Sequence, residues 1–236
     1  MVWVDSSSTI LRNILGNGTP RFANYFQDHM VLQRAPQRAI VWGFGDVGKP
    51  IILRLNNQIY TTVTDLKSTD GQNASIWSVT LEPVFDEGPF DIHVSQPLIN
   101  GTLINITLHD VLFGDVWICS GQSNMQMTVS DIFNATEEIA NAGNYPKIRV
   151  FTSALEPSII PLEELIGIAQ NWSVASPKSI GGPAWVYFSA VCWLYGRMIH
   201  EALGRRPIGL VATSYGGTGI ELWMPAEALP KCFNQS

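Results

Sequence analysis

Ser123 lies in Gly121-Gln122-Ser123-Asn124-Met125, directly after the apolar run Val111 to Cys119 and directly before Met127 to Ala140. The first stretch reads as a buried strand and the second as a helix. A serine between a strand's carboxyl end and a helix's amino end has an exposed hydroxyl with unpaired backbone N–H groups beside it. That is what a nucleophile in acyl transfer needs, because the same N–H groups can hold the oxyanion that forms. The same residues also suit a plain Ser/Asn turn that caps the following helix. A second segment points to the same chemistry. Ile208 to Thr213 reads as a strand, and Gly216-Gly217 follows its carboxyl end. Glycine there lets a substrate approach the backbone, so the N–H of Ser123 and that of Gly216 or Gly217 form a candidate oxyanion pair. Ser214 competes for the nucleophile's role, since Ser214-Tyr215-Gly216 imitates half of a nucleophile elbow. However, Ala212 stands where that motif has glycine, and no clear helix follows.

Gly114-Asp115-Val116-Trp117, followed by Cys119 through Met127, resembles the first sequence block of the sialate O-acetylesterases, members of the SGNH-type (GDSL-like) hydrolase superfamily. Pro207 to Thr218, with Glu221 and Trp223, is similar to that family's second block. Ser189 to Arg197 is similar to the stretch between the blocks, and Met30 to Arg34 with Val41-Trp42-Gly43 to its amino-terminal region. The resemblance runs from about Phe22 to about Cys232. It implies a carbohydrate O-acetylesterase that removes acetyl esters from sialic acids. Ser123 would be the nucleophile, with Gly216, Gly217, Gln122 and Asn124 as oxyanion or substrate-binding residues and no metal or cofactor. An acetylesterase of other polysaccharides, or a glycan-binding protein without catalysis, are the alternative readings.

The base is missing from this picture. Of four histidines, His93 and His109 fall in the polar phase of strands, His29 in a loop and His200 inside a helix. In the family the catalytic histidine comes late, in an Asp-x-x-His-like block after a Gln-Gly-Glu block, and neither occurs here. The expectation is a fragment or one chain of a processed enzyme, inactive alone. A missing carboxyl-terminal segment or a second chain would complete it.

Composition narrows the class further. A net charge of −6 with no basic cluster argues against a nucleic-acid partner. Hydrophobic residues make up 46% and charged residues 14%, which suits a folded chain with a real core. No run approaches the roughly 20 apolar residues of a membrane span. Asn-x-Ser/Thr acceptors occur at Asn17, Asn73, Asn100, Asn105, Asn134, Asn171 and Asn234, against roughly two expected by chance. That excess points to a lysosomal or secreted protein. Met1-Val2-Trp3-Val4 passes at once into Asp5-Ser6-Ser7-Ser8 without a signal-like segment, so the true start is expected to be missing or cleaved. Cys119 and Cys192 read as inert thiols in the core, and Cys232 as a residue able to pair outside the chain.

The elements that must position Ser123 fall into two zones after a segment of uncertain order at 1–21. From 22 to 110, short alternating stretches such as Phe90 to Val94, Trp77 to Leu81 and Ile104 to Leu108 predict an antiparallel β-sandwich. From 111 to 236 the pattern becomes strand and helix in turn. A strand at 111–119 leads to a helix at 124–140 and a strand at 147–151. A helix at 189–203, stopped by Gly204 and Pro207, leads to a strand at 208–213. This predicts the first part of a doubly wound, flavodoxin-like α/β hydrolase domain, whose ligands bind at the carboxyl ends of parallel strands.

Overall fold

A computed structural model describes residues 19–69, 72–97, 101–158, 162–182, 188–224 and 228. Cys232 and the acceptors Asn17, Asn100 and Asn234 lie outside these residues. The chain forms two compact units. One holds the described residues up to Gly114 together with those of the 158–165 segment, and the other holds Asp115–Pro157 and the residues from Ile166 onward.

Period-two alternation builds the first unit. Its strands are Arg21–Phe22 (β1), Val31–Gln33 (β2), Ile40–Phe44 (β3), Pro50–Leu55 (β4), Gln58–Val63 (β5), Asp65–Thr69 (β6), Gln72–Thr80 (β7), Phe90–Pro97 (β8) and the first part of Leu103–Cys119 (β9). In β8, Ile92 and Val94 are fully buried while Asp91 and His93 are exposed, as one strand with one core face requires. One antiparallel sheet runs β1-β3-β7-β6. A second joins β5, β4, β8 and β9 antiparallel, with β2 alongside β9 in parallel. Val41, Ile51, Leu53, Trp77 and Phe113 are fully buried. Burying such side chains contributes about 1.5–3 kcal/mol each.

The stretches 104–108 and 111–119, expected as separate strands, are one strand of 17 residues. Asp110 between them takes a φ of 55°, and the pairing with β8 shifts register there. A bulge absorbs the irregularity without ending the strand.

In the second unit the end of β9 pairs in parallel with Ile208–Ala212 (β12), which pairs in parallel with Ile148–Ser153 (β10). Ile168–Val174 (β11), which the sequence reading did not anticipate, lies antiparallel on the outer side of β10. The helices are Ser123–Gln126 (α1), Ala135–Asn141 (α2), Pro177–Ile180 (α3) and Ala190–Ala202 (α4). The side chain of Ser189 caps α4 by accepting from the Cys192 N–H at 3.2 Å. Gly204, at φ 70°, follows its last turn, as the stop signal requires. Trp193 of α4 is fully buried among Ile148, Val150, Ile208 and Leu210.

Two expectations are corrected here. The helix expected over 124–140 is broken into α1, a 3₁₀ turn at Val129–Asp131, and α2. Thr128 and Asp131 form a capping box that restarts the chain, and Asn134 sits in the left-handed region at φ 62°. Cys119 and Cys192 are buried as expected, but they are not free thiols. They form a disulfide, with Cα atoms 5.8 Å apart and a separation of 73 positions in sequence. The end of β9 and the first turn of α4 meet in space, which the spacing along the chain does not reveal.

Candidate active site

Three residues separate the end of β9 from the serine. Gly121 turns the chain at φ 145°, a conformation that side-chain-bearing residues rarely adopt. Gln122 is extended, and its carbonyl accepts the N–H groups of Met125 and Gln126 at 2.9 and 3.0 Å. Ser123 is the first residue of the single turn α1, and its carbonyl accepts the Met127 N–H at 2.9 Å. A first-turn N–H has no partner within its own helix, so that of Ser123 points out of the turn. Gln122, Ser123 and Asn124 are all exposed.

The chain leaving β12 runs beside this turn. The Thr213 N–H donates to the Cys119 carbonyl at 3.1 Å, and the Tyr215 N–H to the Gly121 carbonyl at 2.8 Å. Gly216 follows and lies against the serine. A Cβ placed on it would stand 3.6 Å from both Cα and Cβ of Ser123, and 2.8 Å from Oε1 of Gln126. The Gly216 N–H donates to that Oε1 at 2.6 Å. Gly217 is exposed at φ 78°, with open space where a side chain would be. The Thr218 hydroxyl donates to the Tyr215 carbonyl at 2.7 Å and accepts from the Trp223 indole at 3.0 Å, which ties the loop down. Ser214 is buried.

The serine turn also has a built floor. The Ser189 hydroxyl donates to the Met125 carbonyl at 2.5 Å while capping α4. The Ala190 N–H donates to the Met127 carbonyl at 2.8 Å, and the Val129 N–H to the Phe188 carbonyl at 3.1 Å. The Cys119–Cys192 disulfide crosses the same boundary between strand end and helix start. Sequence reasoning brought Ser123 and the Gly216-Gly217 turn to one place, but gave no role to Gln126 or Ser189. Ser189 opens the predicted helix, but neither its cap bond nor its bond to the serine turn was read from the sequence.

Each of the four histidines has a partner in its own unit. In the first unit His29 pairs with Asp110 at 2.6 Å, His93 with Thr107 at 3.0 Å and His109 with Asp91 at 2.9 Å. His200 is buried near the end of α4, where its Nδ1 donates to the Arg206 carbonyl at 2.6 Å. Burial pushes its pKa down; the bond to Arg206 opposes this, while the charges of Arg205 and Lys147 add to it. It stands eleven positions after Ser189, about 16 Å along the helix axis. It therefore stands far from the end of α4 that holds the serine turn. Among the described residues, no group of three His, Cys, Asp or Glu side chains is placed to hold a metal ion. No helix among them is long and apolar enough to cross a membrane.

Known proteins are similar in sequence to this chain. The chain is 42% identical over 212 residues to the sialate O-acetylesterase of Rattus norvegicus, covering 90% of this chain and 39% of the relative. The chain is a homologue of the sialate O-acetylesterases. The human sialate O-acetylesterase is 42% identical over 214 residues, with 90% of this chain and 40% of that protein covered. The homologue thus spans about two fifths of the length of these relatives. A solved structure, that of a carbohydrate acetylesterase from Xanthomonas citri, superposes with a TM-score of 0.77 at 28% identity. It covers 92% of this chain and 45% of its own. No family model matches the chain.

Proposed function

We propose that the chain carries the nucleophile of a carbohydrate O-acetylesterase, with Ser123 attacking acetyl esters on sialic acid. The observation that carries this reading is the exposed Ser123 of α1 lying against Gly216 of the neighbouring strand's loop. The names of the relatives favour the substrate class. The Ser123 hydroxyl adds to the acetyl carbonyl and gives its proton to a base. The tetrahedral oxyanion collapses, the sugar hydroxyl leaves with a proton, and water then releases acetate from the acetyl-serine. Because the Gly216 N–H is already given to Gln126, we assign the oxyanion to the N–H groups of Ser123 and Gly217. Gln122 and Asn124 flank the sugar. One such donor is worth about 2.7–4 kcal/mol of transition-state stabilisation.

The partners that already hold the histidines support a base supplied from outside these 236 residues, on a further segment or a second chain. General-base assistance contributes on the order of 10²–10⁴-fold, so the chain alone should turn over a simple acetyl ester poorly. In a form that includes the base, Ser123→Ala should abolish acetate release from O-acetylated sialic acid and Ser214→Ala should not. The opposite pattern would reject Ser123. Robust turnover by the 236-residue chain that vanishes in His200→Ala would reject the external base.

Passage through the secretory pathway, to a lysosome or out of the cell, belongs to the same proposal. Asn73, Asn105, Asn134 and Asn171 are all exposed in the fold. Endoglycosidase treatment of protein from its native source should lower its mass. Unmodified asparagine at all four positions by mass spectrometry would remove this part.

A further inference from the structure

The outer face of the four-stranded sheet in the first unit is covered at one end and open at the other. Ile40, Trp42 and Phe44 of β3 lie on this face. Trp42 pairs with Ser78 of β7, and Phe44 with Ile76. Over Phe44 sits the Arg21 guanidinium, 4.0 Å from the ring centre. Glu164 grips that guanidinium through both carboxylate oxygens, at 2.7 and 2.8 Å. Asn24 fixes the same segment, its N–H donating to Glu164 at 2.7 Å and its side chain to the Leu165 carbonyl at 2.6 Å. Among the described residues the cover stops there, and Ile40 at the far end is 55% exposed. Where it stops, a cavity of about 390 Å³ opens, lined among others by Tyr25, Trp42, Lys67, Ser78, Leu162 and Glu163.

We propose that this cavity binds one neutral hexose unit of an oligosaccharide. The Trp42 indole donates to the Tyr25 hydroxyl at 2.8 Å, which fixes the plane of the ring before any ligand arrives. A fixed aromatic ring is a platform for the C–H face of a pyranose, and fixing it beforehand lowers the cost of binding. The polar groups suit sugar hydroxyls, each of which both donates and accepts. Lys67 only donates, Glu163 as a carboxylate only accepts, and the Ser78 hydroxyl does either. Lys67 reaches the same face because it pairs with Ala74, two residues before Ile76 on β7. One positive and one negative side chain leave the lining without net charge, so a neutral sugar is favoured over an acidic one. The site requires nothing of Ser123. It retains a glycan whether or not an ester is being cleaved.

The test is an NMR titration of the 236-residue chain with lactose and with sialyllactose, following the Trp42 indole N–H. Lactose should move that resonance, and sialyllactose should do so with similar affinity. Lys67→Ala removes an exposed side chain and should leave the fold intact while weakening lactose on the order of tenfold. Ser123→Ala should leave the lactose titration unaltered while removing the nucleophile, which separates this proposal from the esterase reading. An unmoved Trp42 signal, or lactose affinity unaffected by Lys67→Ala, overturns it. Binding of sialyllactose alone would make the cavity an anion site, and loss of binding in Ser123→Ala would place the sugar at the serine; either overturns the assignment.

Discussion

Gln126 closes the helical turn that Ser123 opens, and its side-chain oxygen takes the Gly216 N–H at 2.6 Å. One amide thus ties the nucleophile's turn to the loop that follows β12. Gln126→Leu keeps the bulk and removes the acceptor, leaving a half-buried N–H without a partner at a cost of about 1 kcal/mol. Gln126→Glu keeps an oxygen at the same reach and should hold the loop. Urea unfolding should therefore rank wild type and the Glu variant above the Leu variant. Hydrogen exchange at Gly216 should speed up in Gln126→Leu alone. Unchanged exchange there would show that the bond does not form in solution.

The Cys119–Cys192 disulfide joins the strand before the serine to the helix beneath it. A cross-link spanning 73 residues restricts the unfolded chain strongly, by about 4 kcal/mol in the chain-entropy account. Replacing both cysteines with alanine should lower stability by about that amount in denaturant titration. Alkylation before reduction should leave both cysteines unlabelled. Labelling of either in native, unreduced protein would contradict the bond.

The meeting of Ser123 and Gly216 was legible because it depends on strands. Val111 to Cys119 and Ile208 to Thr213 are apolar runs too short and too well bounded to be helices. Parallel pairing of β9 with β12 then brings the residues after each strand together. What was not legible depends on side chains that meet across long gaps in sequence. Cysteines 73 residues apart carry no sign of their partner. Ser189 opens the predicted helix, while its donation to the Met125 carbonyl needs the backbone of a turn 64 residues earlier. The broken helix after Ser123 was a misjudged balance. Thr128 and Asp131 form a capping box that was present in the sequence, and it outweighed the helical composition around it. The bulge at Asp110 hid because the alternating stretch before it and the apolar run after it each read as a strand of its own.

His200 gives the fold a pH dependence whose sign follows from its surroundings. Burial holds the folded imidazole's pKa below its ordinary 6.5, with Arg205 and Lys147 adding to the effect, and with the Arg206 carbonyl and Glu201 opposing it. Tyr145 packs edge-on against the ring and stays neutral across this range, since burial and Glu201 raise its pKa. When the pH falls below 6.5, the unfolded chain takes up a proton at this position that the folded chain refuses. Stability is therefore fully present above 6.5, declines as the pH drops, and stops declining once the folded histidine also protonates. Glutamine at 200 can still donate to the Arg206 carbonyl but cannot titrate. Urea midpoints measured between pH values of about 7.5 and 5 should fall more steeply for wild type than for His200→Gln. Parallel curves for the two proteins would show that His200 does not contribute, and that the acid sensitivity comes from the carboxylates.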